Sequence, residues 1–352
     1  MDDNNKSKAL DTNFKTATGN NFGAGEKLNH VELQNFVSSD LGYEIVGDFE
    51  DNARHVTAIV KNKETGKSYF FKVSTTEGIS ERQDNEIAFN EIVQQVITSG
   101  SPLSLSLRSL DIIRSGKYKD SLTFYISEQL PSEGFLNHID TTLYPEILKK
   151  LAVINVELAK HTDLLTDKNR LELKVNGKLP EKVSDSAKRY YEKSLKFAQE
   201  SGEDLAAVLE LVKGYEKMDR FGLNHYDLKP DNIFVGVGED KKIILTDGEN
   251  ASARTPWLFD VAHLFHKLYT KTGSSELAYT YLKNVYELLD ASDKDYFKSS
   301  FTTMLATRLI GGFWEYSRGD EIWKNAQAGK QEYLQSKKLQ DELLNGRIFD
   351  NV

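Results

Sequence analysis

His225-Tyr-Asp-Leu-Lys-Pro-Asp-Asn232, followed by Thr246-Asp-Gly-Glu249, is the stretch whose reading decides the fold. Its form is H-x-D-L-K-x-x-N, in which the Asp is placed to receive a hydroxyl proton and the Asn to hold a metal ion. Asp227 is therefore the candidate general base, and Asn232 and Asp247 are the candidate metal ligands. Between them lie Ile233-Phe-Val235 and Lys242-Ile-Ile-Leu245, β-prone runs separated by Gly236, Gly238, Glu239 and Asp240. That pattern predicts an antiparallel hairpin. Its open ends would bring Asn232 and Asp247 together, an amide oxygen and a carboxylate suited to Mg²⁺. An ordinary polar loop with turn-forming Asp and Asn is the alternative, and the specificity of the spacing weighs against it.

Composition narrows the function classes. Acidic residues outnumber basic ones, 54 to 45, for a net charge of −9 in 352 residues. A general nucleic-acid binder would need basic surface instead, so no nucleic-acid partner is expected. The same charge is compatible with a cationic small-molecule substrate. Cysteine is absent, which excludes disulfides, thiolate metal sites and a Cys nucleophile. No apolar run approaches the length of a membrane span, and Met1-Asp-Asp-Asn-Asn-Lys6 lacks the regions of a signal peptide, so a cytoplasmic protein with no membrane partner is expected.

Residues 1–35 are polar without a sustained period and read as a mobile segment. From Leu41 to Leu130 short β-prone runs dominate: Tyr43-Glu-Ile-Val46, His55-Val-Thr-Ala-Ile-Val60, Ser68-Tyr-Phe-Phe-Lys-Val73, Asp111-Ile-Ile113 and Leu122-Thr-Phe-Tyr-Ile126. A turn is expected at Gly116-Lys-Tyr-Lys-Asp120. Lys72 is a charge inside an apolar strand. It needs an anionic partner such as a nucleotide phosphate, unless it lies on the wet face of an edge strand. In the helix predicted over 84–97, Glu86 shares the face of Phe89 and Val93, whereas Glu91 shares that of Gln94 and Gln95. Glu86 is thus the candidate partner of Lys72. Helical periodicity then covers roughly 141–165, 184–201, 204–217, 260–271, 275–290, 294–310 and 320–345. Strands first and helices after predict an α+β protein, with a nucleotide-binding lobe over 36–128 and a helical lobe carrying the catalytic loop and acceptor site over 129–352.

Together these residues resemble the protein-kinase-like fold, and within it the aminoglycoside phosphotransferase and choline kinase branch. The resemblance rests on motifs between about residues 40 and 270. It implies a bilobal fold: a small antiparallel-sheet N-lobe with one main helix, and a large helical C-lobe. It also implies that Lys72 binds the α- and β-phosphates, oriented by Glu86, and that Asp227 is catalytic. Asn232 and Asp247 would hold Mg²⁺, with ATP (or GTP) as donor. Ser127-Glu-Gln-Leu-Pro131 falls where the family has its hinge, so Glu128, Gln129 and Leu130 would meet the nucleobase. Asp260 resembles the family's structural Asp that braces the catalytic loop, a support shared with His225; its other reading is a helix N-cap.

Two spacings favour the small-molecule branch over the protein kinases. Pro131 lies 96 positions before Asp227, room for additional helices, and Asp247 lies only 13 before Asp260. The latter leaves no space for a phosphorylatable activation segment. Departures are also present. Gly47-Asp-Phe-Glu-Asp-Asn-Ala53 has a single glycine where the protein-kinase loop reads G-x-G-x-x-G, so Gly47 is a phosphate-loop candidate flanked by repelling carboxylates. Tyr226 replaces the Arg or Gly of related kinases. Lys229 is placed to neutralise the transferred phosphoryl group, or is a solvated loop charge. The expected activity is phosphorylation of a small-molecule hydroxyl. The alternatives are a protein Ser/Thr kinase and a nucleotide-binding pseudokinase. Phe313-Trp-Glu-Tyr316 and Asp320-Glu-Ile-Trp323 interleave aromatics with carboxylates. They read first as helix core and second as a site for a cationic acceptor.

Overall fold

A computed structural model describes residues 14–15, 21–22, 27–52, 54–162, 182–236, 241–318, 326–350 and 352. The chain divides into two compact units, one built from residues through Asp84 with Asp111–Leu130, the other from Asn85–Leu110 with Pro131–Val352. The division falls inside a 22-residue helix, α2 (Glu77–Thr98), which follows a one-and-a-half-turn helix, α1 (His30–Asn35).

A two-residue ladder of β1 (Phe14–Lys15) and β2 (Asn21–Phe22) precedes the main sheet of the first unit. That sheet contains β3 (Tyr43–Asp51), β4 (His55–Asn62), β5 (Ser68–Ser74), β6 (Ile112–Tyr118) and β7 (Leu122–Glu128). All pairings are antiparallel, in the order β3-β4-β5-β7-β6. Alternation sends Val56, Ala58, Val60, Phe71, Val73, Phe124 and Ile126 into one core. Lys72, between Phe71 and Val73, therefore stands on the other face, in register with Thr57 and Tyr125.

Three local expectations need correction. His30–Asn35, grouped by composition with a mobile segment, is a helix capped by the Asn29 side chain, and its Leu33 is fully buried with Val37. The i, i+4 spacing of these two apolar residues is the signal that polar composition obscured; the rest of residues 1–26, apart from β1 and β2, lies outside the described residues. Gly116 is not a turn residue: the strand runs on to Tyr118, and positive φ falls at Lys119 and Asp120. The glycine serves packing, since a Cβ there would lie 3.1 Å from the Phe124 ring. Gly47 to Asp51, expected as a loop, belongs to β3, and Gly47 (φ 82°) sits where the β3–β4 register shifts. The turn is instead closed by the Asn52 side-chain oxygen Oδ1, which accepts from the N–H groups of Arg54 and His55.

In the second unit the latter part of α2 contributes Phe89, Ile92, Val93 and Val96 to a large core. The remaining helices are α3 (Tyr144–Leu158), α4 (Val183–Ser201), α5 (Ala206–Val212), α6 (Phe259–Lys271), α7 (Ser275–Leu288), α8 (Ala291–Ser317) and α9 (Ala326–Leu344). Helix α8 runs past its expected end at 310 and through Gly311 and Gly312. Gly312 is spent on packing: a Cβ there would come within 3.0 Å of the His266 ring on α6. Two short sheets complete the unit. β9 (Ile233–Val235) pairs with β10 (Ile243–Leu245), and β8 (Phe221–Asn224) with β11 (Ser252–Pro256). The second pair escaped the sequence reading because Phe-Gly-Leu-Asn and Ser-Ala-Arg-Thr-Pro lack a β-branched run. Among the described residues no helix is long and apolar enough to cross a membrane. An antiparallel sheet followed by a mostly helical remainder is the α+β architecture expected.

Candidate active site

The predicted β9–β10 hairpin forms, with Ile233 opposite Leu245. The Thr246 N–H donates to the Asn232 carbonyl at 3.0 Å, which continues the ladder one step and sets Asp247 beside Asn232. The turn residues 237–240 lie outside the described residues. Asp247 itself is left-handed (φ 60°). Gly248 follows because Phe89 of α2 occupies the space of a side chain, 2.6 Å from an added Cβ. The Asn85 amide clamps the same segment by donating to the carbonyls of Glu249 and Ala251 at 3.1 and 3.0 Å.

Strand β8 delivers the other half of the motif. The buried Asn224 amide donates to Gly222, Thr255 and Pro256, joining β8 to β11, and its oxygen accepts from the Asp260 N–H. Asp260, 3% exposed, accepts from the N–H groups of His225 and Tyr226 at 2.5 and 2.8 Å. Burial pushes its carboxyl up to about 6 against the pull of His225 and of those two N–H bonds. The His225 ring donates from Nε2 to the Thr246 carbonyl at 2.8 Å and meets Phe89 edge-on. These bonds tie residues 225–226 to both α6 and the segment that bears Asp247. Tyr226 is left-handed (φ 72°), its ring stacked 4.8 Å from Phe259.

Asp227 follows that turn. Its carboxylate accepts from Lys229 Nζ at 2.8 Å and from Asn232 Nδ2 at 3.3 Å, and the same amide donates to the Asp227 carbonyl at 2.9 Å. Burial works against the Lys229 ammonium, but Asp227, Asp247 and Asp231 outweigh it and hold its pKa above the ordinary lysine value. Asp227, Lys229, Asn232 and Asp247 are thus assembled in one place. Among the described residues no cluster of three or more His, Asp or Glu side chains forms a metal cage. The Asn232 nitrogen is committed to Asp227, which leaves its oxygen for a cation. With Asp247 this is a donor set of the sparse, oxygen-only kind that fits Mg²⁺, which completes its shell with water and phosphate.

In the first unit, Lys72 is 7% exposed, with Nζ 5.8 Å from the Tyr125 ring centre, and Gln83 donates to its carbonyl at 3.0 Å. Glu86 is 2% exposed and Glu91 is exposed. At the end of β7, Glu128 exchanges two bonds with Asp111, from its N–H to the carbonyl and from the Asp111 N–H to its carboxylate, at 2.9 and 3.0 Å. Gln129 and Leu130 follow the strand.

His263 was not singled out in the sequence. Its Nδ1 donates to the Tyr226 carbonyl at 3.2 Å, and its Nε2 lies 3.8 Å from the Asp227 carboxylate. The i, i+3 step from Asp260 on one helix face was the available signal. The described part of the aromatic–acidic run packs between helices, but of its residues Trp314, Glu315 and Tyr316 are only half-buried. Phe313 is buried, Tyr316 stacks on Tyr333 at 4.4 Å, Trp314 stacks on Phe197 at 4.2 Å, and Glu315 binds Lys267 at 3.1 Å. Asp320 to Trp323 lies outside the described residues.

No protein-family model matches the sequence, and comparison with curated proteins finds no match. Solved structures do match. An ethanolamine kinase of Plasmodium vivax aligns with a TM-score of 0.55 at 15% identity, over 87% of each chain. A thermostable mutant of an aminoglycoside phosphotransferase, in its apo form, aligns with a TM-score of 0.52 at 10% identity, over 87% of this chain and 98% of its own. The chain therefore has the fold of these two kinases, an antiparallel sheet followed by a mostly helical remainder.

Proposed function

We propose that this chain is a small-molecule kinase that transfers the γ-phosphoryl group of ATP to a hydroxyl. The observation that carries the reading is the assembly of Asp227, Lys229, Asn232 and Asp247 around one loop. In phosphoryl transfer the protein mainly positions the reactants and compensates charge, and this set can do both. Asp227 orients the acceptor hydroxyl and takes its proton as the new oxygen–phosphorus bond forms. The bond from the γ-phosphorus to the β–γ bridging oxygen breaks, and ADP leaves. Lys229, held beside Asp227, offsets charge on the moving phosphoryl group. Asn232 and Asp247 would hold Mg²⁺, which neutralises the donor phosphates when bound. Lys72 and Glu86 keep the nucleotide roles assigned from the sequence, as do Glu128, Gln129 and Leu130 for the base. Gly47 is a weaker phosphate candidate, because it sits at a strand irregularity with Asp48 and Glu50 close by.

The segment from Asp247 to Asp260 supports a small-molecule acceptor. A short turn over Gly248–Asn250, strand β11 and the start of α6 at Phe259 consume it, so no phosphorylatable activation segment is accommodated. The test is Asp227→Asn assayed for ADP release and for nucleotide binding. Transfer should fall by roughly 10³-fold or more, with binding of Mg²⁺·ATP changed little. Full transfer by this variant would remove Asp227 from the reaction.

A further inference from the structure

Next to Asp227, helices α4, α6 and α8 present a set of polar groups that phosphoryl transfer does not use; α4 and α6 both pack on α8. Helix α6 supplies His263, His266 and Lys267, α8 supplies Arg308 and Glu315, and α4 supplies Arg189, Tyr190 and Lys193. The α6 face reaches Asp227 through His263, whose Nε2 is 3.8 Å from its carboxylate, and Tyr190 of α4 lies close enough to Tyr226, the residue before Asp227, to interact with it electrostatically.

Two properties of this set call for a ligand. First, it contains buried polar atoms that have no hydrogen-bond partner among the described residues: His263 Nε2, both ring nitrogens of His266, and Arg308 Nε. His263 and His266 are 1% and 2% exposed, so bulk water does not meet their needs. Second, its charge is unbalanced. Lys267 is taken by Glu315 at 3.1 Å, and Lys229 by Asp227 at 2.8 Å. Arg308 and Lys193 remain, without an ion pair among the described residues. Burial and the positive charge of Arg308 and Arg189 push the Lys193 ammonium down to about 7, although Glu315 pulls the other way. Burial with Arg308 and Lys267 also keeps both histidines well below the usual range, hence neutral. A planar guanidinium beside an ammonium is the donor set that binds carboxylate or phosphate.

We propose that the acceptor is an anionic alcohol, a hydroxy acid or a phosphorylated alcohol, whose carboxylate or phosphate is held by Arg308 and Lys193 while its hydroxyl reaches Asp227. The inference rests on the kinase reading above. The hydroxyl oxygen gains the phosphoryl group of ATP, its proton passes to Asp227, ADP leaves, and the anionic group is unchanged. The aromatic flank fits such a ligand's carbon skeleton: Phe197 lies under Lys193 at 5.4 Å and stacks on Trp314.

The experiment pairs binding with turnover. Calorimetry would measure glycerate, glycerol 3-phosphate, glycerol and ethanolamine against the full chain with Mg²⁺ and ADP, and ADP release would be followed with each and ATP. The anionic alcohols should bind and should be turned over with kcat/KM at least about 100-fold above glycerol, as charge-assisted bonds allow. Which of the two leads decides between carboxylate and phosphate. Arg308→Gln should raise KM for the better one by about 30-fold with a smaller change in kcat, and Arg308→Lys should recover part of the loss. Preference for glycerol or ethanolamine, or an anion affinity indifferent to Arg308→Gln and Lys193→Gln, overturns the inference and leaves the kinase reading in place. Anion binding that needs Arg308, with no transfer to any of the four alcohols, does the reverse.

Discussion

Lys193 changes charge near neutrality while its neighbours do not. Glu315, held down to about 2 by Lys267 and Arg308 in spite of its burial, stays anionic. A lysine whose pKa is lowered to about 7 is charged below that value and neutral above it. The KM of a carboxylate acceptor, itself ionised throughout, should therefore rise several-fold between about pH 6 and about pH 8. Lys193→Arg should flatten the profile, because a guanidinium does not titrate in this range. A profile identical in the two proteins would take Lys193 out of the acceptor site. Residues of this kind are hard to find from sequence. Lys193 and Arg308 lie in helical stretches where charges are ordinary, and only the packing of α4 and α6 on α8 gathers them.

The elements around Asp247 depend on one missing side chain. Gly248 has ordinary helical backbone geometry, so it is required by the approach of Phe89 on α2 and not by chain flexibility. Gly248→Ala should cost about 1–3 kcal/mol, since an added methyl overlaps a packed ring. Thermal melting should show the loss, and Phe89→Leu in the same chain should restore part of it. Equal melting of Gly248→Ala and the parent would mean that α2 yields easily there. The hairpin carrying Asn232 and Asp247 was legible because β-branched runs and turn residues are local signals. Glu86 and Glu91 were separable by period alone, one buried and one exposed. Strands β8 and β11 were not legible, since their pairing is held by a distant side chain, Asn224, and by register across about thirty residues of chain. The reach of β6 past Gly116 is illegible for a similar reason: a glycine reads as punctuation, yet here it makes room for Phe124.

For the molecule as a whole, each unit has its own core, and the chain enters the second unit twice. Phe89, Ile92, Val93, Val96, Leu103 and Leu107 are buried in the second core although they precede β6 and β7 in sequence. A fragment starting at Pro131 would expose the surfaces these residues cover. It should be largely insoluble or melt without cooperativity, judged by circular dichroism, although it spans the whole catalytic loop. A sharply melting, soluble fragment would show that Asn85–Leu110 is dispensable. The net charge of −9 is compatible with a cationic acceptor, but a sum over 352 residues carries no position. The basic face on α4, α6 and α8 sits inside an acidic protein. Its Trp314 is one of three tryptophans in the chain, and the indole lies flat against Phe197, with Arg318 over the indole and Lys193 over the Phe197 ring. The chain thus carries its own fluorophore at the flank of the suggested ligand, and occupancy there can be followed from emission intensity without attaching any dye.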